Sequence, residues 1–309
     1  TKIPVASVSK FVTALAAIRV LAKHNVSLDS PIGGHFPSDW HLDPVVAAIT
    51  FRQLLSHRSG IKDYGNVSQE YDNLKKFFTQ SVDKSKNTMC QGSAVINPAN
   101  PINANDKSPC YSNYNFAIFR ILLPMIDGFV DDPAHRAAKL AAAYVRLAQI
   151  HVFEPVGATA VEAKPPASGA QASAYAFSYK FPGTASGHDW GDDTLMVGAA
   201  GWYLAIEDVA KVLNSLNKND GRILTSAQLQ DMESTPLGWD TKTDGTGYRW
   251  VEKNGGWGSG DTSISTSVAL FGPGVYGALF MNSDISGEPK VGADTVLHDA
   301  YMKALKPKT

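Results

Sequence analysis

Ser7 and Lys10 stand three residues apart in Ala6-Ser7-Val8-Ser9-Lys10. On a helix that spacing puts both side chains on one face, where they can meet. A serine hydroxyl is a weak nucleophile until a neighbouring base takes its proton, and a lysine amine can be that base when burial or nearby charge lowers its pKa. The helix start also favours negative charge developing at an attacked carbonyl. Taken alone, the pair reads first as a helix N-cap followed by a surface lysine. Two further groups carry chemistry. Cys110-Tyr111-Ser112-Asn113 offers a phenol that can relay a proton and an amide that can hold a substrate amide or orient a lysine; the other reading is a helix cap with a packed tyrosine. Lys253-Asn254-Gly255-Gly256 offers glycines that let a substrate backbone approach and a cation for a substrate carboxylate; the other reading is a solvated turn.

These groups need elements to hold them. Val8 to Lys23 carries apolar residues at helical spacing (Phe11, Leu15, Ile18, Leu21, Ala22), with Ser7 or a close neighbour where an N-cap would stand. Thr50 is a plausible N-cap for a short helix over Phe51 to His57, and further helices are expected near Asn73 to Ser81, Asn113 to Ile126, Ala134 to Val152, Ile206 to Asn217 and Ser226 to Glu233. Asn87 to Pro109 reads as loop. Ala163 to Gly191, rich in Ala, Ser, Gly and Pro, reads as a mobile surface segment. The period then changes. Tyr248 to Glu252, Ser263 to Phe271 and Val275 to Met281 read as strands, and Ala293 to Leu305 closes the chain as a helix. Val275 to Met281 is apolar on both faces, which suits a strand flanked by neighbours rather than an edge.

Composition narrows the field. With 309 residues, 28 Lys+Arg against 29 Asp+Glu and 44% hydrophobic residues, the chain can build a large core and lacks the basic surplus that nucleic acid or an anionic membrane selects. The longest apolar runs, Phe11 to Ala22 and Phe116 to Ile126, are broken by Arg19 and Arg120, so no membrane span is expected. A small substrate fits best. Cys90 and Cys110 either pair or are unrelated thiols. A bridge would tie down the intervening loop with about 3 kcal/mol of chain entropy, and it fits an oxidising compartment. No G-x-S-x-G, H-E-x-x-H, C-x-x-C or P-loop pattern occurs. The one G-x-G-x-x-G match, Gly272, Gly274 and Gly277, precedes a strand rather than a helix and reads as a hairpin turn. The histidines show no ligand spacing, so neither metal nor cofactor is implied.

The three groups, in this order and at these separations, resemble the penicillin-recognising serine hydrolases: class C β-lactamases, DD-peptidases and family VIII carboxylesterases. Phe51-Arg52-Gln53-Leu54-Leu55-Ser56-His57-Arg58-Ser59-Gly60, Val152-Phe153-Glu154-Pro155-Val156-Gly157, and Gly198-Ala199-Ala200-Gly201-Trp202 through Glu207-Asp208 look like further segments of that family. Nearly the whole chain is covered. The resemblance implies an α+β, β-lactamase/transpeptidase-like fold, an antiparallel sheet flanked by helices with a helical lobe at about 45–195. The sheet lobe would hold about 196–309 with the nucleophile helix 7–24. It implies Ser7 as acylated nucleophile, Lys10 and Tyr111 as its coupled proton partners, and Asn113, Lys253, Asn254, Gly255 and Gly256 as substrate-binding, with backbone N–H groups of Ser7 and Gly256 as oxyanion hole. His57 would be a packed turn residue rather than a base. The expected function is acyl-enzyme hydrolysis of ester or amide carbonyls in small esters, peptides or β-lactams, in the periplasm or outside the cell. Esterase or D-amino-acid peptidase activity leads; a penicillin-binding sensor that acylates without turnover, or a β-lactamase, is the alternative.

The sequence departs from the family in two places. Asn254 replaces the threonine of K-T-G, which favours esters or peptides over β-lactams, and Trp257 follows where it could offer a flat wall to an acyl or aryl group. Relatives also carry a helix and the first strands of the sheet ahead of S-x-x-K, whereas six residues precede Ser7 here. The expectation is that a preceding segment or a second chain completes the sheet.

Overall fold

The computed structural model describes residues 2–61, 69–79, 109–158, 161–165, 177–178, 187–259, 262–272, 274–283 and 291–305. The apolar pattern after Val8 folds as α1 (Ser9–Lys23), entered through a 3-10 turn over Ala6–Val8. The cap is Val8, with no side-chain hydrogen bond, so Ser7 is not spent as an N-cap. Every residue of α1 from Ser9 to Ile18 is buried, as expected of a helix apolar nearly all round. The helices α2 (Pro44–Ala47), α3 (Phe51–Leu55), α4 (Tyr71–Thr79), α5 (Tyr114–Ala117), α6 (Phe119–Ile126) and α7 (Arg136–Ala148) follow. Thr50 opens α3 with a capping box shared with Gln53. The helix expected over Asn113 to Ile126 is two pieces, and α7 runs through a π turn and a 3-10 turn to Gly157 at φ +74°. Later come α8 (Ile206–Lys218), α9 (Ser226–Ser234) and α10 (Ala293–Leu305).

The strands are β1 (Lys2–Pro4), β2 (Phe177–Ser178), β3 (Tyr203–Ala205), β4 (Asp240–Thr243), β5 (Arg249–Ser259), β6 (Thr262–Gly272) and β7 (Val275–Met281). β1 and β3 form a two-stranded sheet. In the larger antiparallel sheet β4 pairs β5, β5 pairs β6, and β6 takes both β7 and β2. The strand expected to stop at Glu252 continues through Lys253-Asn254-Gly255-Gly256 to Ser259, in register from Val251↔Leu270 to Ser259↔Thr262. Cross-strand pairing with β6 overrides the weak strand preference of the glycines, so this segment is a strand interior and not a turn.

Among the described residues β7 pairs with β6. Both of its apolar faces meet helices, α8 on one and α10 on the other. Tyr276 donates to Asn214 Oδ1 of α8 at 3.3 Å, while Gly277, on the opposite face, lies against Leu297 of α10. One apolar core runs from α1, α6 and α7 to Val268 and Leu270 of β6. α1 packs against α6 and α7 as well as β5, so this helix joins the helical part of the molecule to the sheet. Of the segment read as mobile, residues 166–176 and 179–186 lie outside the described residues, as does most of Asn87 to Pro109.

Candidate active site

The turn that carries Ser7 is unusual backbone. Ala6 has φ +45°, a conformation costly for a residue with a Cβ. It is held from both sides: Val5 N–H donates to Trp202 O at 2.9 Å, and Thr266 of β6 donates to Val5 O at 2.9 Å. β5 supports the turn from below at Gly255. A Cβ there would stand 2.4 Å from Val5 O and 2.8 Å from Ser7 N, so only glycine lets the strand reach the nucleophile.

Ser7 Oγ lies 2.6 Å from Tyr111 OH and accepts from Lys10 Nζ at 3.0 Å. Lys10 is fully buried, and its ammonium also donates to Asn113 Oδ1 at 2.8 Å and Ala199 O at 2.7 Å. An ammonium has three donors, and here each has a fixed acceptor. Tyr111 is 47% exposed, so it is the member of the trio that an incoming molecule meets. Lys253 Nζ sits 5.1 Å from the Tyr111 ring centroid and Lys10 Nζ 4.9 Å, both attracted by the ring face. Lys253 also pairs with Asp240 Oδ2 at 3.0 Å across the β4–β5 hairpin.

The structure thus gathers Ser7, Lys10, Tyr111, Asn113, Lys253 and Gly255. Gly256 is the next residue on β5, and β4 pairs with β5 only as far as Glu252, so beyond that point the outer edge of β5 has no strand partner among the described residues. Asn254 is different. The alternation that turns Lys253 and Gly255 to the nucleophile turns its side chain to the other face, where it donates to Asp294 of α10 at 3.4 Å. Its side chain is not in the cleft. Cys110 is disulfide-bonded; Cys90, its expected partner, lies outside the described residues.

His57 is buried at φ +56°, with its ring 4.6 Å from the Tyr111 ring and 4.9 Å from Phe116. Its Nδ1 accepts from Ser112 N–H at 3.2 Å, and its carbonyl accepts from Cys110 N–H at 2.7 Å. Burial, reinforced by Lys10 and Lys253, holds its pKa well below the ordinary 6.5. It is a neutral brace for the Tyr111 backbone.

A second layer fixes Lys10, and little in the sequence signals it. Thr13, one turn after Lys10, lies 2.6 Å from Tyr144 OH and donates to Gly198 O at 2.5 Å. Burial pushes the Tyr144 hydroxyl up to about 12, so it stays protonated and donates to Thr13. Gly198 directly precedes Ala199, the carbonyl that holds Lys10. The spacing of Thr13 was a readable signal, and Ala199 lies in a segment that carried the family resemblance; Tyr144 and Asp240 arrive by tertiary contact and had no signal of this role. Among the described residues no group of His, Cys, Asp and Glu could hold a metal ion.

This geometry has relatives. A family model described as Beta-lactamase matches residues 1–292. The chain belongs to the Beta-lactamase family. Its fold is that of the family's serine hydrolases. Among solved structures it is similar to a penicillin-binding protein from Bacillus halodurans (17% identity, 99% of this chain and 87% of that one, TM-score 0.65). It is also similar to a class C β-lactamase from Rhodobacter sphaeroides (17%, 99% and 86%, 0.65). A third is a D-amino acid amidase from Ochrobactrum anthropi complexed with L-phenylalanine (18%, 98% and 85%, 0.66). A search of curated proteins gives no significant match. No helix among the described residues is long and apolar enough to cross a membrane.

Proposed function

We propose that this β-lactamase-family protein hydrolyses esters or amides through an acyl-enzyme on Ser7. The observation that carries the reading is the bonding of one hydroxyl, Ser7 Oγ, to both Tyr111 OH and Lys10 Nζ. In the proposed course, the Lys10–Tyr111 pair acts through Tyr111, which, deprotonated beside the Lys10 ammonium, takes the proton from Ser7 Oγ as it attacks the carbonyl. Backbone N–H groups of Ser7 and Gly256 receive the developing oxyanion. Tyr111 then passes the proton to the leaving group, the acyl group stays on Ser7, and water releases it as a carboxylic acid. Asn113, whose Oδ1 holds Lys10, would offer its amide N–H to the substrate, and Lys253 a positive charge. Esterase or D-amino-acid peptidase activity is favoured over β-lactamase activity, because Asn254 stands in place of the K-T-G threonine whose hydroxyl helps seat a β-lactam carboxylate. The disulfide at Cys110 suits work outside a reducing cytosol.

Mass spectrometry after exposure to a fluorophosphonate or a penicillin is expected to show a covalent adduct on Ser7, absent in Ser7→Ala. Labelling that persists in Ser7→Ala overturns the assignment. A sensor with the same residues would keep its adduct for hours, whereas a hydrolase clears it within the turnover time; release kinetics of the adduct separate the two.

A further inference from the structure

Lys253, Gly255 and Trp257 share one face of β5, and each marks a station along the cleft. Lys253 stands by the Tyr111 ring, and Gly255 abuts the Ser7 backbone. Trp257 lies two residues further, about 7 Å along the strand, on the side of Ser7 away from Tyr111. Tyr111 is the group placed to protonate a departing alcohol or amine, so the leaving group departs at that end and the acyl portion extends toward Trp257.

What waits there is aromatic. Trp257 and Trp190 lie with ring centroids 5.0 Å apart at a 36° tilt, and His188 stands edge-on to Trp190 at 4.5 Å. The two indoles pack on Ala6 and Ile264 in a small cluster separate from the main core, and Ala6 is the residue before the nucleophile. Both are only half-buried.

We propose that Trp190 and Trp257 are a receptor for a flat aromatic group on the acyl side of the substrate, making arylacyl esters and amides the preferred class. This rests on the acyl-enzyme reading above. An aryl ring would stack offset on the indole faces, held by the same forces that pair aromatic side chains.

The test holds the leaving group constant. p-Nitrophenyl phenylacetate and p-nitrophenyl acetate are compared by kcat/KM in the wild type, Trp257→Ala, Trp190→Ala and Trp257→Phe. The phenylacetate-to-acetate ratio is expected to fall by about tenfold or more in the alanine variants and to persist in Trp257→Phe. An equal ratio in all four proteins overturns the proposal. A second measurement stands apart from catalysis and from the folding of the tryptophan variants: titration of Ser7→Ala protein followed by tryptophan fluorescence. Saturable quenching by the phenylacetyl ester and none by the acetyl ester is expected, and no quenching by either overturns the receptor. If the wild type neither turns over the esters nor labels at Ser7, the acyl-enzyme reading fails, while the titration still decides the aromatic site.

Discussion

Lys10 reaches three acceptors contributed by a turn, a helix start and a loop, so its position is set by elements remote from one another in the chain. His57 shows how such a site depends on a residue that does no chemistry. Its ring braces Tyr111 and its Nδ1 must stay unprotonated to accept from Ser112. Its pKa is depressed in the folded state by burial, so below the ordinary value of 6.5 the unfolded chain binds a proton that the folded chain refuses. Stability contributed by the neutral ring is therefore complete above about pH 6.5 and is lost as pH falls below it. Thermal melts from about pH 4.5 to 7.5 are expected to show a falling Tm on the acid side that flattens in His57→Phe. A slope unchanged by the substitution would refute this role.

At the scale of elements, the decisive contact is between β5 and the 3-10 turn, and it exists because Gly255 has no side chain. In Gly255→Ala the new methyl would meet Val5 O and Ser7 N, and either the strand or the turn must give way. Misplacing a nucleophile by about 1 Å costs roughly a hundredfold in rate. The variant is therefore expected to lose about that much kcat/KM on a p-nitrophenyl ester while its far-UV circular dichroism stays that of the wild type; full activity would show that the strand does not set the nucleophile. Elements with strong local signals were legible in the sequence: α1 from its period, α3 from Thr50, and β7 and α10 at their observed bounds. β1, β3 and β4 are too short to show an alternation. The continuation of β5 through three glycines was hidden because its cause is the ladder to β6, and with it went the facing of Asn254, which the alternation decides.

Across the whole molecule, Ser7 and Tyr111 meet over a separation of 104 positions, a convergence that spacing alone could never have announced. Motif order supplied it, through the resemblance to a family that the chain proves to belong to. Trp190 had no such guide, since it sits in a stretch without motif or period. Among the described residues β7 has a strand partner on one edge only and so stands at the rim of the sheet they form, with an outcome for how the protein behaves in bulk. Its seven residues carry no charge, so nothing electrostatic repels an identical strand brought alongside it. As protein concentration rises, light scattering is expected to report particles larger than a single chain, and Leu279→Lys is expected to disperse them. Should the wild type stay monodisperse when concentrated, the rim is not adhesive; otherwise colloidal behaviour, and not only catalysis, is written into that last hairpin.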